Sequence, residues 1–272
     1  MPAITESSSL YRHLEKMSVE ELTRSINSED KLVPLAIEKA LPAINKLIEA
    51  ILWQLSAGGR LFYVGAGSGG RLSVLDVIEL PTTYGVEKGM FNAILAGGAD
   101  RLIDALEQME DDREEGPRQL KAHEVGPRDI VVGISASGTT PFVLSSLQYC
   151  RQKGIPTGCI VSNRDTPIAA VADFPVEVIT GPEFVTGSTR MKCGSVQKML
   201  FDMISTTVMI RLGRVLDNSM VHVALINDKI TDRAVRILME KADISDYQTA
   251  KSLLLEAGSV SRALTQIKPN EL

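Results

Sequence analysis

Cysteine is scarce: Cys150, Cys159 and Cys193 are the only three in 272 residues. They are odd in number and far apart, and their spacing matches neither a disulfide framework nor a zinc site. No apolar run approaches the ~20 residues that a bilayer-spanning helix needs. The opening stretch MPAITESSSLYRHLEK has no basic segment followed by an apolar one, so it does not read as a secretory signal. Basic charge is also short, with 29 Lys and Arg against 34 Asp and Glu. The net charge of −5 and the lack of a basic stretch argue against a nucleic-acid partner. Internal repeats and low-complexity tracts are not evident. These absences lead to the expectation of a reduced, cytoplasmic, soluble protein. What remains is ordinary globular material, 44% apolar and 23% charged, long enough to bury a full core.

Residues 1–17 read as loosely ordered. Ser18 with Glu21 is a capping box that opens a short helix over 18–26. Val33, Ala36, Ile37, Ala40, Ile44, Leu47, Ile48 and Ile51 carry a helical period over 31–56, which Pro42 would break or kink. Strands are expected at 61–64, 91–95, 130–135, 157–161 and 176–179. Helices alternate with them: one ended by Pro81, one from about Asp100 to Glu115 closed by Gly116 and Pro117, one near 142–152, and a short one at 167–171. That alternation predicts an α/β fold, a doubly wound parallel sheet with helices on both faces. Beyond residue 192 the chain reads as helical, with an apolar helix over 197–212 and shorter ones over 228–241, 244–256 and 260–265. The expected division is an N-terminal helical segment (1–45), the sheet domain (46–215) and a C-terminal helical segment (216–272).

Three stretches could carry chemistry. Gly65-Ala-Gly-Ser-Gly-Gly70 follows a strand and opens a helix. Free N–H groups and the positive dipole end make such a turn an anion cradle. It also fits the dinucleotide fingerprint, but that motif wants an acidic residue about 20 positions on, and Asp100 comes late. Ser135-Ala-Ser-Gly-Thr-Thr-Pro141 repeats the pattern with four hydroxyl residues, more than an N-cap requires. Two such cradles on one parallel sheet could share a ligand where the strand order reverses. The third stretch, Gly181-Pro-Glu-Phe-Val-Thr-Gly-Ser-Thr-Arg-Met-Lys192, gathers Glu183, Arg190, Lys192 and several hydroxyls between an apolar strand and an apolar helix.

This third stretch resembles the signature of the family containing N-acetylmuramic acid 6-phosphate etherases and the glucokinase regulatory protein. Both contain the sugar isomerase (SIS) phosphosugar-binding fold. Further matches are Gly65-Ala-Gly, Gly70-Arg-Leu, Val74-Leu-Asp, Glu110-Asp-Asp, Ala136-Ser-Gly, Thr140-Pro, and Asn227 with Lys229. The similarity runs from about residue 18 to residue 265.

The resemblance implies a flavodoxin-like αβα sandwich and a lyase acting on a phosphorylated amino sugar, with no metal or cofactor. A homodimer is expected, with the apolar helix near 197–212 and the C-terminal helices as candidate contacts. It carries the family's acid onto Glu79 and a second acid/base onto Glu110. Glu79 follows Leu72 and Leu75 on an apolar stripe, where a helix-end position and partial burial would favour a proton donor. Glu110 follows Ile103 and Leu106 in the same spacing, although Glu110-Asp-Asp-Arg-Glu-Glu also reads as a solvated charge run. For substrate and phosphate the implied residues are Gly67, Ser68, Gly69, Ser135, Ser137, Gly138 and Thr140, with Glu183, Ser188, Arg190 and Lys192. The chain departs from the usual Gly-Ala-Gly-Thr-Ser-Gly-Arg by Ser68 and Gly69. Ser73 stands for a glycine, Leu80 precedes Pro81, and Cys193 follows Lys192. An aldose–ketose isomerase and a non-catalytic phosphosugar-binding regulator are the competing readings. A DNA-binding regulator is disfavoured because residues 1–45 carry more acids than bases.

Overall fold

The computed structural model describes residues 3–103 and 107–267. The chain forms two compact units: residues up to Val77 with Gly89–Ile204, and Ile78–Lys88 with residues from Ser205 on.

In the first unit, helix α1 (Val19–Asp30) starts on the expected capping box. The Glu21 amide donates to Ser18 Oγ at 3.2 Å, and the Ser18 amide donates to the Glu21 carboxylate at 2.7 Å. Helix α2 (Leu32–Ser56) is one element, continuous through Pro42 and through residue 45. Pro42 and Glu38, whose carbonyl loses the proline's N–H, both lie on the exposed side, where water replaces the bond. The buried stripe Ile37, Ala40, Ile44, Leu47 and Ile51 holds the helix together across that point.

Strand β1 (Leu61–Gly65) leads into helix α3 (Gly67–Tyr84), followed by β2 (Phe91–Leu95), helix α4 (Glu115–Ala122) and β3 (Ile130–Ser135). Then come helix α5 (Pro141–Gln152), β4 (Thr157–Val161), helix α6 (Pro167–Val171), β5 (Phe174–Glu177) and helix α7 (Lys192–Arg211). All five strands are parallel, in the order β2-β1-β3-β4-β5. The alternation of side chains splits the core onto two faces. Phe62, Val64, Val131 and Cys159 pack with Phe142, Val143 and Leu147 of α5. On the other face Tyr63 meets Phe201 of α7 with ring centroids 4.9 Å apart. On that face too, a Cβ placed at Gly158 would lie 2.4 Å from Leu47 of α2.

Four expectations change. Pro81 does not stop α3, which runs on to Tyr84. In a last turn the proline costs one bond, and the next one closes normally, Gly85 N to Pro81 O at 3.1 Å. The helix expected over 100–115 is instead two 3₁₀ turns, Ala99–Arg101 and Glu107–Asp111, with residues 104–106, including Leu106, outside the described residues. Gly116 and Pro117 open α4 rather than close a helix, because a first-turn N–H needs no intrahelical partner. The last strand begins at Phe174, earlier than expected, because β5 is an edge strand and Pro175 can sit there without breaking a ladder.

The second unit holds a small antiparallel hairpin, β6 (Val215–Leu216) and β7 (Ser219–Met220), and helices α8 (Asp228–Ala242), α9 (Tyr247–Ala257) and α10 (Val260–Ile267). Val235, Leu238, Leu254, Val260 and Leu264 form its core. Asn227 caps α8, accepting the Ile230 amide at 2.9 Å, which gives this residue a structural role. No helix among the described residues is long and apolar enough to cross a membrane.

Candidate active site

The strand order reverses between β1 and β3, so the loops leaving their carboxyl ends diverge and open a crevice. A cavity of about 350 Å³ lies there, lined by both cradle turns. From the first turn it takes Ala66, Gly67, Ser68 and Gly69; from the second, Ser135, Ala136, Ser137 and Thr140. Both belong to the first unit, and the two turns meet at one cavity.

The second turn is organised by Ser135, which is buried. Its hydroxyl lies 2.9 Å from Thr140 Oγ1 and 3.2 Å from Ser137 Oγ, and it accepts the Gly138 amide at 3.1 Å. Gly138 is buried and does not line the cavity. Its φ of +74° lets the turn close, and its carbonyl accepts from Ile168 N. The hydroxyls therefore converge on one point beside the start of α5, a geometry suited to an anion.

Glu110 enters the cavity from the 3₁₀ turn Glu107–Asp111 and is half-buried. Its Oε1 sits against Gly67, where a Cβ would come within 2.7 Å of it. Gly67 has a φ of +51°, a left-handed conformation that favours glycine. Burial pushes the Glu110 carboxyl up to about 7, with the neighbouring acids Glu107 and Asp111 adding to the shift and Arg71 opposing it. Arg71 lies 3.5 Å from Glu107. Only the resemblance separated Glu110 from Asp111 and Asp112 in the sequence; the structure brings Glu110 into the cavity and leaves the two aspartates out of its lining.

Glu79 lies in the second unit, is exposed, and is not among the residues lining this cavity. Because α3 continues past it, the helix-end position and partial burial expected of Glu79 are both absent.

The third stretch divides. Ser188, Thr189 and Arg190 line the cavity. Glu183 and Lys192 do not, and their polar atoms are engaged elsewhere. The Glu183 carboxylate accepts the Lys192 and Cys193 amides at 2.9 Å each and so caps the start of α7. Lys192 Nζ donates to Glu29 of α1 at 2.6 Å and to the Thr180 carbonyl at 3.0 Å, with the lysine only 2% exposed. Both residues hold the loop that carries Arg190 rather than facing the cavity themselves. Lys192→Met would leave Glu29 as an uncompensated buried charge and should cost about 3–5 kcal/mol. Urea unfolding should show this loss, with much of it recovered in Lys192→Met combined with Glu29→Gln. An unchanged midpoint in the single variant would refute the role.

The N-terminal stretch, expected to be loosely ordered, is instead docked. The Ile4 and Thr5 amides donate to Asn163 Oδ1 at 2.6 and 3.2 Å, and Asn163 Nδ2 donates to the Ala136 and Ser137 carbonyls of the second turn. Ser9 Oγ donates to the Phe184 carbonyl at 2.7 Å, and Tyr11 packs on Phe184. This docking places Glu6 on the cavity rim. Glu6, Glu107 and Gln197 are lining residues that sequence reasoning did not find. For Gln197 a signal existed: it is the polar member of the buried α7 stripe Cys193, Val196, Leu200, Phe201 and Ile204. Among the described residues, no group of three or more His, Cys, Asp or Glu side chains is placed to hold a metal ion.

The fold and its crevice are those of an SIS-type α/β protein. Residues 115–207 match the SIS domain, and residues 43–151 match the glucokinase regulatory protein N-terminal SIS domain. Two solved phosphoheptose isomerases share the fold at low identity. The one from Neisseria gonorrhoeae has a TM-score of 0.54 at 16% identity, covering 70% of this chain and 97% of that one. The one from Francisella tularensis has a TM-score of 0.52 at 17% identity, covering 70% and 99%. A Porphyromonas gingivalis protein named N-acetylmuramic acid 6-phosphate etherase is 49% identical over 265 residues, 97% of this chain and 96% of that protein. A Bacteroides thetaiotaomicron protein of the same name is 48% identical over 261 residues, 96% of this chain and 94% of that protein. The chain belongs to the N-acetylmuramic acid 6-phosphate etherase family.

Proposed function

We propose that this protein cleaves the D-lactyl ether of N-acetylmuramic acid 6-phosphate, giving N-acetylglucosamine 6-phosphate and D-lactate. The observation that carries this reading is Glu110. It is a carboxyl pushed up to about 7 in the same cavity as the converging hydroxyls of Ser135, Ser137 and Thr140. A group that titrates near neutrality can both take and return a proton.

In the open-chain sugar the C1 aldehyde acidifies the proton on C2. A carboxylate removes that proton, the C3–O bond breaks, and lactate leaves with a proton from the acid. Water then adds at C3 and the proton returns to C2. Family resemblance alone assigns Glu79, which does not line this cavity, as the acid at the ether oxygen; Glu110, inside the cavity, is the second acid/base. Ser135, Ser137, Thr140, Ser68 and the amides opening α3 would hold the phosphate, with Ser188 and Arg190 beside them. A coupled assay for D-lactate release from N-acetylmuramic acid 6-phosphate tests the reading. Sugar-phosphate binding without lactate would replace it with an isomerase or a binding protein.

A homodimer is part of the same proposal. Leu75 and Ile78, one turn apart on α3, are 39% and 59% exposed, and Met199 and Ile210 of α7 are exposed as well. Light scattering should give twice the chain mass; a species of 29.5 kDa at micromolar concentration would rule the dimer out.

A further inference from the structure

Gln197 is a polar side chain on the buried stripe of α7, only 3% exposed, and it lines the cavity. Among the described residues its carboxamide makes no hydrogen bond. The carboxamide faces Gly69: a Cβ placed there would lie 3.1 Å from both Nε2 and Oε1. Glycine at 69 lets the carboxamide pack this close to the turn, since a side chain would also meet Ile134 Cγ2 at 2.9 Å. Its amide atoms reach the cavity, so the carboxamide is placed to hydrogen-bond whatever the cavity holds.

We propose that Gln197 is a specificity-determining residue whose carboxamide hydrogen-bonds a sugar hydroxyl of the bound phosphosugar. The inference rests on the phosphosugar reading of this cavity and deepens it. A carboxamide carries a donor end and an acceptor end, so a group that uses both must itself donate and accept. A hydroxyl does both; a phosphate oxygen that carries no proton only accepts and would leave Oε1 empty. Donors for the phosphate are already gathered in the hydroxyls of Ser135, Ser137 and Thr140 and in the guanidinium of Arg190. Gln197 thus reads the neutral part of the ligand, and it does so without a charge that would disturb Glu110.

The test is calorimetric titration of N-acetylglucosamine 6-phosphate and, separately, inorganic phosphate into wild type, Gln197→Leu and Gln197→Met. Loss of the carboxamide should weaken the sugar phosphate by about tenfold or more and change inorganic phosphate by less than about twofold. Equal weakening of both probes would assign Gln197 to the phosphate and overturn the proposal, as would unchanged sugar-phosphate affinity. Should neither apolar variant fold, Gln197→Asn, with its shortened carboxamide, carries the same two readouts. Wild type that binds the sugar phosphate but releases no lactate refutes the etherase reading and leaves this comparison intact. Wild type that binds neither probe overturns both.

Discussion

Glu110→Gln should lower kcat/KM for lactate release by about 10²–10⁴-fold, the usual contribution of a positioned proton-transfer group. The amide keeps the size of the side chain and its fit against Gly67 while removing the titratable proton. Wild-type kcat/KM should therefore show a limb centred near pH 7, where burial and the Glu107 and Asp111 carboxylates have moved the Glu110 carboxyl. That limb should be missing from the residual activity of the variant. A variant with wild-type turnover would exclude Glu110 from the chemistry.

Stability gives an independent reading of the same group. In the folded chain the Glu110 carboxyl titrates near 7, above its ordinary 4.5. Between those values the native state binds the extra proton, so raising the pH through this window lowers wild-type stability. Glu110→Gln has no such loss. Its melting temperature should exceed that of wild type at pH 8, and the gap should close at pH 4.5. A gap that widens on acidification would contradict the burial of this carboxyl. The pattern expected is a more stable, less active enzyme at neutral pH, as when a group is held in an unfavourable state for its reaction.

Glu79→Gln should likewise lower lactate release by about 10²–10⁴-fold if this residue is the acid at the ether oxygen. Its effect on stability should differ. Glu79 is exposed on α3, and a surface substitution away from caps and buried networks usually changes stability by less than about 0.5 kcal/mol. The variant should melt with wild type at every pH and still bind N-acetylglucosamine 6-phosphate. Loss of turnover with retained fold and binding would assign Glu79 to the chemistry. Unchanged turnover would remove it from the mechanism and leave Glu110 as the one assigned proton carrier. Exposed charges add little to the stability of the chain that bears them, so an activity loss here cannot be attributed to a weakened fold.

Much of the scaffold was legible because its causes are local. The apolar runs at 91–95, 130–135 and 157–161 are strands over the ranges their composition predicts. Glycine and hydroxyl residues after β1 and β3 mark the two turns that line the cavity, since a turn that approaches a ligand needs those residue types whatever surrounds it. Even the meeting of the two turns follows from strand alternation and the rule that ligands bind where strand order reverses.

The choice of Glu110 over its acidic neighbours came from family resemblance, because a run of acids has no internal mark for the one that becomes buried. The loop carrying Arg190 resisted local reasoning for a different reason. Glu183 and Lys192 look like ligands in sequence, and only the packing of α1 shows that Lys192 is already paired with Glu29. The N-terminal stretch has no helical period, and its order comes from hydrogen bonds to Asn163 and Phe184, more than 150 residues away in sequence. Gln197 looks like one polar break in an apolar helix until Gly69 and the cavity are placed opposite it. Local sequence thus determined the strands, the turns and the chemistry they favour. Tertiary structure alone decided which charges pair, which carboxyl is half-buried, and which polar side chain lines the cavity, because burial and pairing are properties of neighbours distant in the chain.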